Sequence, residues 1–472
     1  MNTSKTLSLF IILAVLIFSA CQQEQTEEQG SIDQIFDEWN NPDVPGGVLG
    51  VVKDGKLIYS KGYGSADLEH DIKITPTSVF YLASVSKHFL TFSVLLLEEQ
   101  GKLDLDDKIQ KYLPDFPEYK TPLTIRHFIH HTSGVRDYLT LMSLKGRSYL
   151  DHIEEHEVYE LIKRQSVLNF PPGDRYLYSN SCYFMLAMII EKAGGQSLRE
   201  FAKEHMFDPL GMKNTLFYDD VTDLIKNKVF SYQKTDDGFD NLISRFDLVG
   251  SGGVYSNIED LLLWDQNFYD NKLGKGGPEI IQKMHEEGLL NSGESSGYAF
   301  GLVNSNYRGL NTVSHGGSLA GYRSYLLRFP DQNCSVIILS NRNDGSPGSK
   351  AYKVADIVLD GLFTQDKEIE EESEISIPTD DDTLDIKVDL QDYIGKYYSK
   401  DLDEVYHISI KNETLWFSIR NGEKKAMVSS GTDEFSSSYI SFRFNRVDGD
   451  VIGFELDAGR VQNVGFTRSE HL

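Results

Sequence analysis

The chain has 472 residues, a formal net charge of −26 at pH 7, and apolar (40%) and charged (25%) fractions that exclude both a disordered chain and a fibre. That length corresponds to about three domain-sized units and is ample for a large core. The acidity excludes a nucleic-acid-binding role, which needs a basic footprint.

Taken from the N-terminus, Lys5 precedes an unbroken apolar run over residues 9–18, followed by Ser19, Ala20 and Cys21. A short apolar run after a positive charge, ending in small residues, predicts a secretory signal peptide. It falls well short of the ~20 residues a spanning helix needs. Phe18-Ser19-Ala20-Cys21 resembles a bacterial lipobox, with Phe18 where leucine is usual. That resemblance implies lipidation of Cys21, export, and a membrane contact made only through the lipid. Residues 1–21 are then the signal, and the polar, acidic residues 22–30 a tether.

A body follows over residues 31–365. Its first β-rich runs flank Asp54-Gly55, a hairpin signal. A long amphipathic helix is predicted over 84–100, closed by Gly101. A second follows Asn180 and ends at Gly194-Gly195, and a third covers 258–268. Apolar, strand-like runs at 322–329 and 335–340 are separated by Pro330-Asp331-Gln332-Asn333. Strands at both ends with helices between predict an α+β domain whose sheet joins N- and C-terminal strands.

Residues 366–382 are strongly acidic and contain Pro378, which predicts a solvated linker with few contacts across it. Beyond it, residues 383–472 carry short β-rich runs at 405–410, 415–419, 439–444, 451–456 and 464–467. These predict a small all-β domain, an antiparallel sheet or barrel. Export permits a Cys182–Cys334 disulfide, but sequence does not bring the two together, and both read as small buried hydrophobes.

Three segments carry chemistry. In Ser84-Val85-Ser86-Lys87, residues three apart share a helix face, which puts an amine beside a hydroxyl that is a poor nucleophile alone. Ser231-Tyr232-Gln233-Lys234 matches the same pattern, but in a polar segment that opens no helix. Tyr178-Ser179-Asn180 follows the turn Pro171-Pro172-Gly173-Asp174 and opens an apolar helix. A tyrosine acts as a base only where positive neighbours lower its pKa, and Lys87 is the expected neighbour. The similar Tyr255-Ser256-Asn257 reads as a helix N-cap. His315-Gly316-Gly317-Ser318 precedes strand-like sequence, its glycines suited to close approach of a substrate backbone.

One rival pattern is His152-Ile153-Glu154-Glu155-His156, which has metalloprotease spacing but lies in a highly charged stretch that reads as a solvated helix face. No G-x-S-x-G elbow or phosphate loop occurs.

In order along residues 31–365, VFYLASVSKHFLTFSVLLLEEQGKLDLDDKIQKYLP, TIRHFIHHTSG, PPGDRYLYSNSCYFMLAMIIEKAGG, DPLGMKNT, GSGGVYSNIEDLLLW and HGGSLAGYRSYLLRFPDQN resemble the serine β-lactamase-like and penicillin-binding-protein superfamily. The branch is that of class C β-lactamases, D-aminopeptidases and esterases. The tail, with DYIGKYYSKDLDEVYHISI and VGFTR, resembles the small β-barrel often appended to such hydrolases. The resemblance implies an antiparallel sheet flanked by helices with a helical subdomain. It implies Ser84 as acylated nucleophile, Lys87 as its proton-sharing neighbour, and Tyr178 as general base and acid. Asn180 would bind the substrate amide, and the main-chain N–H groups of Ser84 and Ser318 would form the oxyanion hole. His315 stands where β-lactamases usually keep the Lys of K-T-G, a motif absent from this sequence. A neutral histidine there is expected to hydrogen-bond Tyr178, and Arg323 is the candidate replacement for the missing charge.

The resulting expectation is a serine hydrolase acting on an ester or amide, D-amino-acid peptides included, with no cofactor or metal. A β-lactamase or DD-peptidase is the nearest alternative. A binding module retaining the fold is the competing class, disfavoured by the intact Ser84, Lys87 and Tyr178.

Overall fold

The computed structural model describes residues 29–366, 389–420 and 422–469. Cys21 and most of the acidic run lie outside the described residues. Among those described, no helix is long and apolar enough to cross a membrane.

The apolar run Gly47–Lys53 (β1) is buried on both faces, as its unalternating sequence requires. It pairs antiparallel with β2 (Lys56–Tyr63) across a two-residue loop in which Asp54 (φ 49°) and Gly55 (φ 73°) both take the positive φ of a type I′ turn. Four further strands, β3 (Val303–Tyr307), β4 (Leu310–Leu319), β5 (Tyr322–Phe329) and β6 (Cys334–Ser340), complete a six-stranded sheet in the order β3-β4-β5-β6-β1-β2. The expected closure is seen: β6 from the C-terminal end pairs with β1, placing Val51 opposite Val336.

Helices cover the sheet. α1 (Lys87–Glu99) is buried over most of its length and ends where Gly101 turns left-handed (φ 68°). α2 (Tyr138–Leu144) packs against α3 (Asn180–Gly194), which lies beside α1, while α4 (Ile258–Asn267) touches β1, and α5 (Pro347–Val358) covers β5 and β6. The predicted 84–100 helix is two pieces, since Ala83–Ser86 is a 3₁₀ turn that leads into α1.

The tail is a closed eight-stranded barrel, β7 (Gly395–Ser399), β8 (Glu404–Lys411), β9 (Thr414–Ile419), β10 (Lys425–Gly431), β11 (Glu434–Ser437), β12 (Ile440–Val447), β13 (Asp450–Ala458) and β14 (Val461–Ser469). Alternation along β8 and β12 points Tyr406, Ile408, Ile440, Phe442 and Phe444 inward. They meet Tyr397, Phe454 and Phe466 in an aromatic core.

The expectation of few contacts between body and tail does not hold. The wholly buried Arg136 donates to Asp401 (2.7 Å) and to the main-chain oxygens of Gln462 (3.0 Å) and Asn463 (2.7 Å). Tyr406 Oη donates to Leu144 O (2.8 Å), and Lys145 donates to Leu402 O. An acidic run says how a connection is solvated, not how the units at its ends dock.

Candidate active site

Ser84 projects from the 3₁₀ turn, where side chains at i and i+3 eclipse. This places Lys87 Nζ 3.3 Å from Ser84 Oγ. Ala83, immediately before, has a positive φ of 49°, a conformation that an alanine holds only when its surroundings impose it. Leu82 is tied on both sides: its N–H donates to Val254 O (2.8 Å), and its carbonyl accepts from Ser324 Oγ (2.6 Å).

Gly317 is what allows the second of these contacts. A Cβ there would lie 2.2 Å from Leu82 O and 2.3 Å from Ser324 Oγ. The glycine thus lets β4 pack against the turn that carries Ser84. Its role is packing within the protein, where the sequence suggested room for a substrate backbone.

Lys87 is fully buried and donates to Asn180 Oδ1 (3.0 Å) and to Ser251 O. Burial drives its pKa well below the ordinary lysine value, with Asp137 opposing and Arg460 reinforcing the fall. Its Nζ thus reaches three oxygens, those two carbonyls and the Ser84 hydroxyl, whose Oγ accepts at 3.3 Å.

The orientation of Asn180 comes from Asp137. One carboxylate oxygen accepts from Asn180 N (2.7 Å) and Asn180 Nδ2 (2.8 Å), which turns Oδ1 toward Lys87. The other oxygen accepts from Thr140 N (3.0 Å) and caps α2. One carboxylate therefore fixes the starts of two helices and the partner of Lys87.

The Tyr178 ring lies 4.9 Å from Lys87 Nζ, 4.6 Å from the Arg460 guanidinium and 4.2 Å from the His131 ring. Its buried hydroxyl makes no hydrogen bond of ordinary geometry among the described residues. Burial raises its pKa above the usual phenol value, while nearby Ser84 and Arg460 pull it down. The expected lowering by Lys87 is not seen, because desolvation acts on both groups in the direction that favours their neutral forms.

His315 does not bond Tyr178, and their ring centroids are 6.4 Å apart. Its Nδ1 donates to Gly316 O (2.7 Å), and its Nε2 accepts from Tyr298 Oη (2.9 Å). These partners select the neutral tautomer protonated on Nδ1. Burial, reinforced by Lys87, takes its pKa down to about 4.

Ser84, Tyr178, Asn180, His315, Ser318 and Arg323 line one cavity of about 480 Å³. The sequence-derived set is thus brought together. Arg323 Nη1 is engaged by the carbonyls of Ala320 (2.8 Å) and Tyr322 (2.7 Å).

The duplicate motifs lie elsewhere. Ser231 Oγ donates to Leu242 O (2.8 Å), and Lys234 stands in a short hairpin. Tyr255 packs on Tyr81 and Tyr218, and Asn257 caps α4 by accepting from Asp260 N (3.0 Å). The helix carrying His156, Glu155–Lys163, starts after His152, which instead meets Glu154 and Asp247. Cys182 and Cys334 are free and buried.

Sequence reasoning missed Asp137, Tyr298 and Arg460. Asp137 before an apolar helical run is a readable N-cap signal. Nothing local marks Tyr298 as the partner of His315, or the barrel loop that bears Arg460 as part of the cleft.

A mixed sheet-and-helix body with this serine, lysine and tyrosine defines a class. The beta-lactamase family profile matches residues 32–359. The chain belongs to that family of serine hydrolases. It is 30% identical over 395 residues to penicillin-binding protein 4* of Bacillus subtilis (strain 168), covering 79% of this chain and 83% of that one. It is also 30% identical over 317 residues to a D-aminopeptidase of Brucella anthropi, covering 67% of this chain and 59% of the relative. The octameric penicillin-binding protein homologue from Pyrococcus abyssi superposes over 94% of this chain and 98% of its own, with a TM-score of 0.62 at 20% identity. The D-amino acid amidase of Ochrobactrum anthropi SV3 does so over 70% and 99%, with a TM-score of 0.60 at 19% identity. At those identities the two structures establish the fold alone.

Proposed function

We propose that the protein hydrolyses an amide or ester, D-amino-acid peptides included, through an acyl-enzyme on Ser84. The observation that carries this reading is the buried Lys87, whose Nζ lies 3.3 Å from the Ser84 hydroxyl and whose pKa is pushed well below the ordinary lysine value by burial. Ser84 Oγ attacks the carbonyl carbon as its proton passes to the Lys87 amine. The main-chain N–H groups of Ser84 and Ser318 receive the oxyanion. Collapse breaks the bond to the leaving group, which takes a proton from the Tyr178 hydroxyl. Lys87 then returns its proton to Tyr178. Water repeats the sequence on the acyl-enzyme, releasing the acid and restoring Ser84. Asn180 keeps one Nδ2 proton free of Asp137 for the substrate.

The 30% identity to a D-aminopeptidase supports an amide substrate of D-configuration. A penicillin-binding DD-peptidase is the second reading, favoured by the match to penicillin-binding protein 4*. The neutral His315, held by Tyr298, weighs against a dedicated β-lactamase because it offers no cation at the K-T-G position. The N-terminal pattern supports an exported lipoprotein anchored through Cys21, which incorporation of labelled fatty acid in wild type and not in Cys21→Ala would test.

Labelling with a fluorophosphonate and a fluorescent penicillin, followed by mass spectrometry, tests the assignment. Modification at Ser84 is expected. Modification at another serine, or none by either reagent, would overturn it in favour of a binding module.

A further inference from the structure

The barrel sets a permanent positive charge against Tyr178. Ala458 pairs with Val461, so Gly459 and Arg460 form the two-residue turn between β13 and β14. Gly459 carries the positive φ (54°) that the first position of a type II′ turn requires. The body clamps this hairpin by its main chain. Arg460 O accepts from Asn169 Nδ2 (3.0 Å) and Asp137 N (3.5 Å), and Gln462 N donates to Asn169 Oδ1 (2.8 Å). Residue 460 is therefore held in place without help from its own side chain. Among the described residues that side chain has no carboxylate partner, and its guanidinium lies over the Tyr178 ring, 4.6 Å from the centroid.

The other groups around Tyr178 are poor sources of lasting positive charge. Lys87 Nζ, 4.9 Å from the ring, is fully buried, which disfavours its ammonium form. The His131 ring lies 4.2 Å away, and its Nδ1 accepts from Ser179 N (3.1 Å), which requires a neutral imidazole. Tyr298 and His315 follow at 6.1 and 6.4 Å and bond each other. Tyr176 and the carboxylate of Asp137 both act against a negative charge on Tyr178. A guanidinium, by contrast, stays protonated at any working pH.

We infer that Arg460, delivered by the barrel, is a positioning residue that holds Tyr178 as an effective proton donor to the leaving group. When the tetrahedral intermediate collapses, the Tyr178 O–H bond breaks and its proton joins the departing oxygen or nitrogen. The electron pair stays on the phenolate, whose charge spreads into the ring beneath the guanidinium. The Lys87 ammonium then returns the proton taken from Ser84. Arg460 handles no proton itself and acts through Tyr178 alone. The inference rests on the Ser84 acyl-enzyme reading and extends it to the second domain, which becomes part of the machinery for leaving groups that must be protonated.

The test compares p-nitrophenyl butyrate with ethyl butyrate on the full-length protein. The two share an acyl group, but p-nitrophenolate departs as a stable anion whereas ethoxide needs a proton to leave. Because kcat/KM reports acylation, the deacylation common to both esters drops out. Arg460→Gln should lower kcat/KM for ethyl butyrate by about fivefold more than for p-nitrophenyl butyrate, through kcat rather than KM. Arg460→Lys should recover most of that difference. Equal losses on both esters would mark a merely structural arginine and overturn the inference, as would Arg460→Gln with no loss on ethyl butyrate. A wild type that cleaves p-nitrophenyl butyrate and leaves ethyl butyrate intact would overturn it too, because Tyr178 would then deliver no proton. Fluorophosphonate labelling of Ser84 in the same preparations separates the two claims. Labelled wild type with equal losses in the variant removes only the role of Arg460, whereas unlabelled wild type removes the acyl-enzyme on which that role rests.

Discussion

Tyr298 Oη donates to His315 Nε2 at 2.9 Å, and this bond takes the histidine out of the proton path that its place in the sequence suggested. With Nδ1 donating to Gly316 O, both ring nitrogens are committed within the protein, and the ring is buried and neutral.

The first prediction concerns acid stability. The His315 pKa falls from 6.5 to about 4 on folding. Between those values the unfolded chain binds a proton that the native chain refuses, so stability drops as pH falls through that window, by about 3 kcal/mol at most for this residue. His130 and His285 are also depressed to about 4 and share the slope. His315→Gln removes one titration and should flatten the melting temperature against pH between 6.5 and 4. Turnover should show no His315-dependent limb near 6.5. An unchanged melting profile in the variant would mean that the histidine is accessible to protons.

A second prediction separates the two S-x-x-K motifs. Ser84→Ala removes one hydroxyl at the end of a cavity and should abolish labelling and turnover with the fold intact. Ser231→Ala removes a hydrogen bond to Leu242 O and should cost about 1 kcal/mol of stability while labelling at Ser84 persists. Loss of labelling in Ser231→Ala with Ser84→Ala still labelled would reverse the assignment.

The core of the site was legible because its chemistry is local. Ser84 and Lys87 are three residues apart, Tyr178 and Asn180 two apart, and each pair sits at the start of a buried helix whose apolar run is plain. Five of the eight barrel strands were legible for the same reason. β7, β10 and β11 were not; β10, for example, exposes most of its length and shows no alternation. What could not be read is what arrives from far along the chain. Tyr298 reaches His315 across a loop, and Arg460 reaches Tyr178 from another domain, through contacts that no spacing rule encodes.

The third prediction concerns the docking that makes this possible. Arg136 and Asp401 form a buried pair with side chains 0% and 7% exposed. Removing one partner of such a pair strands the other charge and typically costs about 3–5 kcal/mol. Asp401→Ala should therefore lower the melting temperature and loosen the barrel, detected as faster amide exchange at residues 460–463. Arg136→Met combined with Asp401→Leu leaves no stranded charge and should recover much of the loss. A single variant as stable as wild type would show that docking does not depend on this pair.

The last prediction returns to Gly317. Its φ is not in the left-handed region, so an alanine meets no backbone penalty, and the whole effect must come from contact. The added methyl would sit 2.2 Å from Leu82 O and 2.3 Å from Ser324 Oγ, far inside any van der Waals separation. Ser324→Ala removes the second clash but leaves the first, because Leu82 O is main chain in the turn that carries Ser84. Gly317→Ala should thus cost about 1–3 kcal/mol, the usual range for overpacking. It should also slow fluorophosphonate labelling of Ser84 by more than the stability loss explains, since β4 and the 3₁₀ turn must separate. Adding Ser324→Ala should restore stability in part and labelling less. A Gly317→Ala protein that is destabilised but labelled at the wild-type rate would show that Ser84 keeps its place without this strand.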